Sequence, residues 1–502
     1  MLTVWITIAI YIAVLVAIGI MTGRSSKSIA DITVGGRQAG AWLSALSYGT
    51  AYFSAVMFVG YAGSTGYGFG LWGVLVGLGN MLFGTLLAWL VLARRTREVS
   101  AQLNIQTMPQ FFEKRYDSRA MKLFACLITF IFFIPYSASV YKGLGSIAEV
   151  LLGIDDTIFM LIIAALAALL LWFGGYLVQA RADFIQGIIM FVGVILLVVF
   201  VLRADAVGGV AGVMEYAKTD LGLPALNSKQ IWTLISLIFM TSFGTWGLPH
   251  MIQKFFGIKS DAQAKRGIWI SSVFSLVAAG GGYFVGSLCH LFFNRAAYDA
   301  LAAKHGATFL DYLVPTMLKI ANVPSILVGI VVVLLLAGSV TTLCGITLVS
   351  GSTLVLDFFK TLRPNTKEKS LKLGTRIACV VFAAISYLVA NSNTPILDLM
   401  SYSWGIISGS LLAPYLLSLY FKDTNKIGAW AAAITGFCIA FIPAAAKMIN
   451  VFGFGGETAA ALMGYGPHFA VAAMVTSVIV CFAVSVITGG NKTAANVEAK
   501  AA

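Results

Sequence analysis

Charge is scarce in this chain, and long polar segments are missing. Only 11% of its 502 residues are charged, whereas an ordinary soluble domain carries about a quarter. The longest gaps between apolar runs, roughly 94 to 120, 204 to 230, 294 to 322 and 357 to 374, are too short for a separate domain of about 50 residues or more. Whatever the chain does is therefore done among its apolar segments. Histidine is rarer still: His250, His290, His305 and His468 stand far apart and form no HExxH pair, which excludes a zinc-protease arrangement. The six cysteines all lie inside apolar runs with no CxxC or Cys/His cluster. That excludes a disulfide framework or a zinc site and leaves them as small core residues. No nucleophile is paired with a base, so the chain reads as no enzyme and as having no cofactor. Gly68, Gly70 and Gly73 match GxGxxG, but they join two apolar runs and follow no strand, as a dinucleotide fingerprint must.

What is abundant is hydrophobicity. Apolar residues make up 59% of the chain, and the mean hydropathy is +0.91. Thirteen runs are long enough to cross a hydrocarbon core of about 30 Å as helices. They cover 2 to 20, 42 to 63, 71 to 93, 121 to 149, 157 to 174, 184 to 203, 231 to 253, 267 to 293, 323 to 356, 375 to 390, 397 to 420, 427 to 447 and 467 to 488. The first is called here the leading helix and the others helices 1 to 12. The opening Met-Leu-Thr-Val-Trp lacks the basic segment of a signal peptide, so the leading helix reads as a retained span.

The net charge of +13 is unevenly placed. Lys and Arg gather after the leading helix and after helices 2, 6 and 8, Lys254 among them. With Arg181, Lys422, Lys426, Lys492 and Lys500, alternate loops hold 25 of the 33 basic residues. The positive-inside rule then puts the N-terminus outside and the C-terminus in the cytoplasm, as an odd number of spans requires. This is the pattern of a multi-pass protein of the cell's inner (cytoplasmic) membrane whose partner is the lipid bilayer; it does not call for nucleic acid.

Two spans are interrupted. Helix 1 reads Ser47-Tyr48-Gly49-Thr50-Ala51-Tyr52-Phe53-Ser54, and helix 6 reads Thr241-Ser242-Phe243-Gly244-Thr245-Trp246-Gly247-Leu248-Pro249-His250. Both sequences allow local unwinding, which at membrane depth survives only where the freed backbone is buried in protein or coordinates a ligand. Each opens a group of five spans, and breaks at corresponding places in two halves point to a binding site. Helix 8 is long, about 50 Å at 1.5 Å per residue, and carries Gly338-Ser339-Val340-Thr341-Thr342 at its centre.

Four segments carry a family resemblance over nearly the whole chain: Gly35-Gly36-Arg37 before helix 1, Phe173-Gly174-Gly175-Tyr176 with Asp183-Phe184-Ile185-Gln186, Gly247-Leu248-Pro249-His250, and Thr341-Thr342 in a helix 8 that ends in Asp357. In this order they resemble the sodium/solute symporters, most nearly the proline-transporting members. The resemblance implies an all-α membrane protein with a five-plus-five inverted-repeat core: a leading helix (1–22), a first repeat of helices 1 to 5 (42–203), a second of helices 6 to 10 (231–420), trailing helices 11 and 12 (427–488) and a cytoplasmic tail (489–502). It implies sodium-coupled import of a small organic solute, an amino acid such as proline, by a monomeric functional unit. A small carboxylate, another organic solute or proton coupling are the alternatives.

Carried over position by position, the carbonyls of Thr50, Phe53 and Gly338 and the hydroxyls of Thr341 and Thr342 would hold sodium, a cage of hard neutral oxygens that lets the ion go again. Some members have a second sodium site using the Asp that is Asp183 here, but its two further hydroxyl positions are Cys344 and Gly345, so one sodium per cycle is expected. Asp183 would line the inner exit path or pair with Arg181 or another basic residue. The proline-transporting members' helix 1 acid is Tyr52 here, and their helix 6 Trp and Tyr are Thr241 and Thr245. The expected solute contacts are Tyr52, Ser54, Tyr136, Thr241, Thr245 and Trp246, with Tyr402 and Trp404 of helix 10 as an outer gate. Lys142, six residues beyond Tyr136, either reaches the outer interface or attracts a solute carboxylate.

Overall fold

The computed structural model describes residues 2–23, 37–173, 176–451 and 453–489. Gly35, Gly36, Gly174 and Gly175 lie outside the described residues, so the two glycine pairs of the sequence signature have no structural account. Among the described residues the chain is all helical, with a single isolated bridge between Ala39 and Ile258 and no strand. Among the described residues nine helices are long and apolar enough to cross a membrane, ten if the bent pair Ser228–Gly247 and Pro249–Phe256 counts as one crossing; Leu2–Leu15 and Asp156–Leu171 are shorter apolar helices. Large apolar side chains such as Trp269, Leu388 and Ile479 are exposed, the outer surface expected of a body solvated by lipid.

Helices 8 and 10 are the inner ones: 78% and 89% of their most apolar windows are buried, against 33% for helix 12. Helix 8, Ser325–Leu362, packs against helix 5 (Tyr176–Arg203), the leading helix (Leu2–Gly23), helix 3 (Arg119–Leu152) and the first half of helix 1 (Ala41–Tyr52). Helix 10, Ile396–Tyr420, packs against helices 11 and 12 on one side and the helix 6 break on the other.

Both interruptions read from the sequence are present. Helix 1 stops at Tyr52, Phe53 takes an extended conformation, and the chain resumes as a π turn over Val56–Tyr61. Helix 6 runs from Ser228 to Phe243, tightens into a 3-10 turn over Gly244–Gly247, leaves Leu248 extended and restarts at Pro249, bent by 53°. The cause is local: proline excludes the helical conformation from the residue before it, and its own missing N–H costs nothing at a helix start.

The start of helix 1 and the end of helix 6 are tied together and to their neighbours. Ala39 N–H donates to the Gly257 carbonyl and Lys259 N–H to that of Ala39, both at 3.0 Å. The Gln263 side chain accepts from Ala41 N–H at 2.8 Å, and Arg37 donates to the Ser100 hydroxyl and to the carbonyls of Ser100 and Ile105 at 2.7 to 2.8 Å. One expectation about charge is corrected here. Lys254 is not a loop residue after helix 6 but sits inside its second half, 3% exposed. Of the six cysteines five are buried; Cys438 is exposed on helix 11.

Candidate functional site: the breaks of helices 1 and 6

The end of a helix leaves its last carbonyls without intrahelical partners. At the break of helix 1 these carbonyls meet the centre of helix 8. Thr342 Oγ1 lies 2.9 Å from the Gly338 carbonyl oxygen, 3.2 Å from that of Ala51 and 3.4 Å from that of Thr50. The Phe53 carbonyl approaches Gly338 so closely that a Cβ there would stand 2.5 Å from it; only glycine permits this spacing. One threonine proton therefore faces three acceptors, with a fourth beside them. Such a donor-poor cluster of neutral oxygens in a buried place favours a small hard cation. Of the five expected sodium contacts, Thr50, Phe53, Gly338 and Thr342 are together. Thr341 is turned toward helix 5, where its hydroxyl donates to the Gln186 side-chain carbonyl. Ser339 fixes the far side of the break by accepting from Ala55 N–H at 3.0 Å.

Next to this cluster lies a small cavity lined by Tyr52, Phe53, Ser54, Tyr136, Thr241 and Trp404, together with Val56, Met57, Tyr61, Asn80, Tyr283 and Met400. Its space of about 20 Å³ is room for one water and for no organic molecule. Tyr52 Oη donates to the Thr241 carbonyl at 2.6 Å, and the Thr241 hydroxyl donates within reach of Asn80 Oδ1 at 2.8 Å. Trp404 closes the cavity, its ring 5.5 Å from that of Tyr136 and 6.1 Å from that of Tyr52.

Three expected residues fall elsewhere. Trp246 donates from its indole to the Phe83 carbonyl at 3.0 Å, and Thr245 donates to the Ser242 carbonyl at 2.8 Å, because the 3-10 turn rotates both away from the cavity. Tyr402 joins a cluster with Ile406, Ala440 and Ala473. The π turn over Ser401–Gly405 brings Trp404 inward and leaves Tyr402 against helix 11. Conversely, Asn80, Met57, Tyr61 and Tyr283 line the cavity without having been singled out. A lone Asn within the apolar helix 2 is a signal that could have found one of them.

Asp183 of helix 5 is fully buried. It pairs with Lys254 of helix 6, Nζ to Oδ2 2.9 Å, and accepts a hydrogen bond from Ser47 of helix 1; Lys254 Nζ also donates to Ser47 Oγ at 2.7 Å. Removing either charge alone would leave the other buried, at a cost of about 3–5 kcal/mol. Lys142 is half-buried, outside the cavity, within electrostatic reach of Asp311 and Asp156. Asp311, in the 3-10 turn Gly306–Tyr312, accepts from Ile396 N–H at the start of helix 10 at 3.1 Å. Burial pushes its carboxyl up to about 7, opposed by that N–H and by Lys142.

Comparison with known proteins gives the family. The model of the sodium:solute symporter family matches residues 33–436. The chain is 31% identical over 446 residues to the osmoregulated proline transporter OpuE of Bacillus subtilis (strain 168), covering 86% of each chain. It is 28% identical over 491 residues to a sodium/proline symporter of Staphylococcus aureus (strain bovine RF122 / ET3-1), covering 95% of this chain and 92% of the other. A solved Na+-coupled sialic acid symporter, in a substrate-bound outward-open state, superposes with a TM-score of 0.75 at 16% identity over 98% of both chains; at that identity the likeness concerns the fold. With a family match over four-fifths of its length, this chain belongs to the sodium:solute symporter family.

Proposed function

We propose that this protein is a sodium-coupled symporter that imports proline across the cytoplasmic membrane. The observation that carries the reading is the oxygen cluster between the helix 1 break and Thr342, where three acceptors face one hydroxyl proton. Sodium would be held there by the carbonyls of Thr50, Phe53 and Gly338 and by Thr342, with Thr341 joining by a side-chain rotation. The solute would occupy the adjacent cavity at Tyr52, Ser54, Tyr136 and Thr241, with Trp404 as the outer gate and Asp183 beside the inner path. Proline as the solute is supported by relatives named as proline transporters.

The architecture proposed is thirteen crossings with the N-terminus outside, the C-terminus inside and each chain a functional unit. The run Val56–Gln102 has 47 residues, about 70 Å at 1.5 Å per residue. That is more than twice a bilayer core, and Gly70 turns within it at φ +55°. It is counted as two crossings, the first belonging to helix 1. With the bent pair and the two shorter helices the total is thirteen, and helices 1–5 and 6–10 form the two repeats.

Thermal unfolding of the purified protein tests the coupling at the level of binding. Sodium should raise the transition temperature, and proline should raise it further only when sodium is present, because coupled ligands favour one shared state. Stabilisation by proline that is equal in sodium and potassium would overturn the reading.

A further inference from the structure

We propose that the ammonium of Lys254 stands in place of a second coupling cation, so that this protein carries one sodium ion per cycle. The inference rests on the symporter reading above and concerns the cavity on the other face of helix 8. That cavity, about 30 Å³, is lined by Gln179, Asp183, Gln186, Thr341 and Cys344, with Leu15 and Leu170 among its apolar walls. It is a cavity with room for one or two waters, and among its mainly apolar walls stand the oxygens of Asp183, Gln186 and Thr341. Asp183 Oδ1 has no hydrogen-bond partner, and the Gln186 carbonyl meets the Thr341 hydroxyl. Size, oxygen donors and a buried carboxylate are what a sodium site requires.

What the carboxylate lacks is spare charge. Its Oδ2 is taken by Lys254 at 2.9 Å and by Ser47, and both members of the ion pair are almost wholly buried. The pair is neutral as a unit, so a sodium ion in the cavity would add an uncompensated positive charge in a low-dielectric place and beside an ammonium. A water meets no such penalty. Lys254 gets there because helix 6 breaks at Leu248 and its second half, Pro249–Phe256, packs against the first half of helix 1 and against helix 8, from where the lysine side chain reaches Asp183 of helix 5. A continuous helix 6 would carry the side chain elsewhere.

Equilibrium binding of radioactive sodium to the purified full-length protein tests this without requiring that the solute be known. The wild type should bind one sodium per chain. Lys254→Met should bind two, with its thermal stability acquiring a second sodium-dependent step, since the freed Asp183 then needs a counter-ion. Lys254→Met/Asp183→Asn, which removes both charges, should return to one. Two ions bound to the wild type, or one bound to a folded Lys254→Met, would overturn the proposal; if Lys254→Met does not fold, the wild-type count decides. No sodium bound to the wild type would instead sink the sodium-coupled reading itself, and a count of one with no sodium-dependent uptake would sink only the transport reading.

Discussion

Thr341 and Thr342 are neighbours in sequence, yet a helix sends adjacent side chains to different faces, and here they serve different partners: Thr342 the break of helix 1, Thr341 the helix 5 glutamine. Replacing Thr342 with valine removes the hydroxyl that lies against the carbonyls of Thr50, Ala51 and Gly338. The expected result is a loss of sodium affinity of about tenfold or more, read as a shift in the sodium dependence of uptake, the energy of a buried hydrogen-bonding or cation contact being about 1.4 kcal/mol or above. Thr341→Val should weaken sodium less, because its hydroxyl has to leave Gln186 to join the ion; no loss at all would remove Thr341 from the proposed site. Gly338→Ala should be worse than either, because its methyl would stand 2.5 Å from the Phe53 carbonyl oxygen and must push the break away; uptake should fall to background while the protein still inserts in the membrane. The segment Gly338-Ser339-Val340-Thr341-Thr342 stands out within an otherwise Val/Leu/Ile run, and the family resemblance is what pointed from it to sodium. The role of Lys254 was not legible in the sequence. A hydropathy window ends helix 6 just before it and so counts it as a loop cation, and its partner lies 71 residues away in sequence, where no local pattern reaches.

The breaks are where sequence reading worked best at the scale of whole elements, because their causes are local: glycines with no side chain to hold a helix together, and a proline that forbids helix at Leu248. The register after a break is another matter. A 3-10 turn in helix 6 and a π turn in helix 10 each change the rotation per residue, so Thr245 and Trp246 lie away from the cavity, and of the two helix 10 aromatics expected at the gate Trp404 lines it while Tyr402 packs against helix 11. A prediction belongs to this scale. Pro249→Ala lets Leu248 become helical and joins the two halves of helix 6; the sodium cluster, built on helices 1 and 8, is untouched. Sodium should still stabilise the variant against heat, while the uptake rate should fall about tenfold, as for a change of 1.4 kcal/mol in a conformational barrier. Loss of the sodium effect together with uptake would place helix 6 in the ion site instead.

At the scale of the molecule, composition and the uneven placement of Lys and Arg were enough to read a multi-pass membrane protein, since both follow from transferring whole helices into lipid. Which helices touch is not so encoded, because every apolar run satisfies the bilayer equally and only packing distinguishes the buried helices 8 and 10 from the outer helix 12. The proposed orientation is checked by single cysteines in a background without native ones: an impermeant thiol reagent should label Lys304→Cys from outside intact cells and Lys367→Cys only in inverted vesicles. The central claim, that the oxygen cluster at Thr342 couples sodium to solute import, is tested most directly by uptake of labelled proline into proteoliposomes under an inward sodium gradient, with potassium as control and Thr342→Val alongside. Uptake above equilibrium that requires sodium in the wild type, and that in Thr342→Val needs about tenfold more sodium or is lost, is the result expected. Accumulation of proline by the wild type that is the same with potassium as with sodium, or a Thr342→Val variant with unchanged sodium dependence, would contradict it.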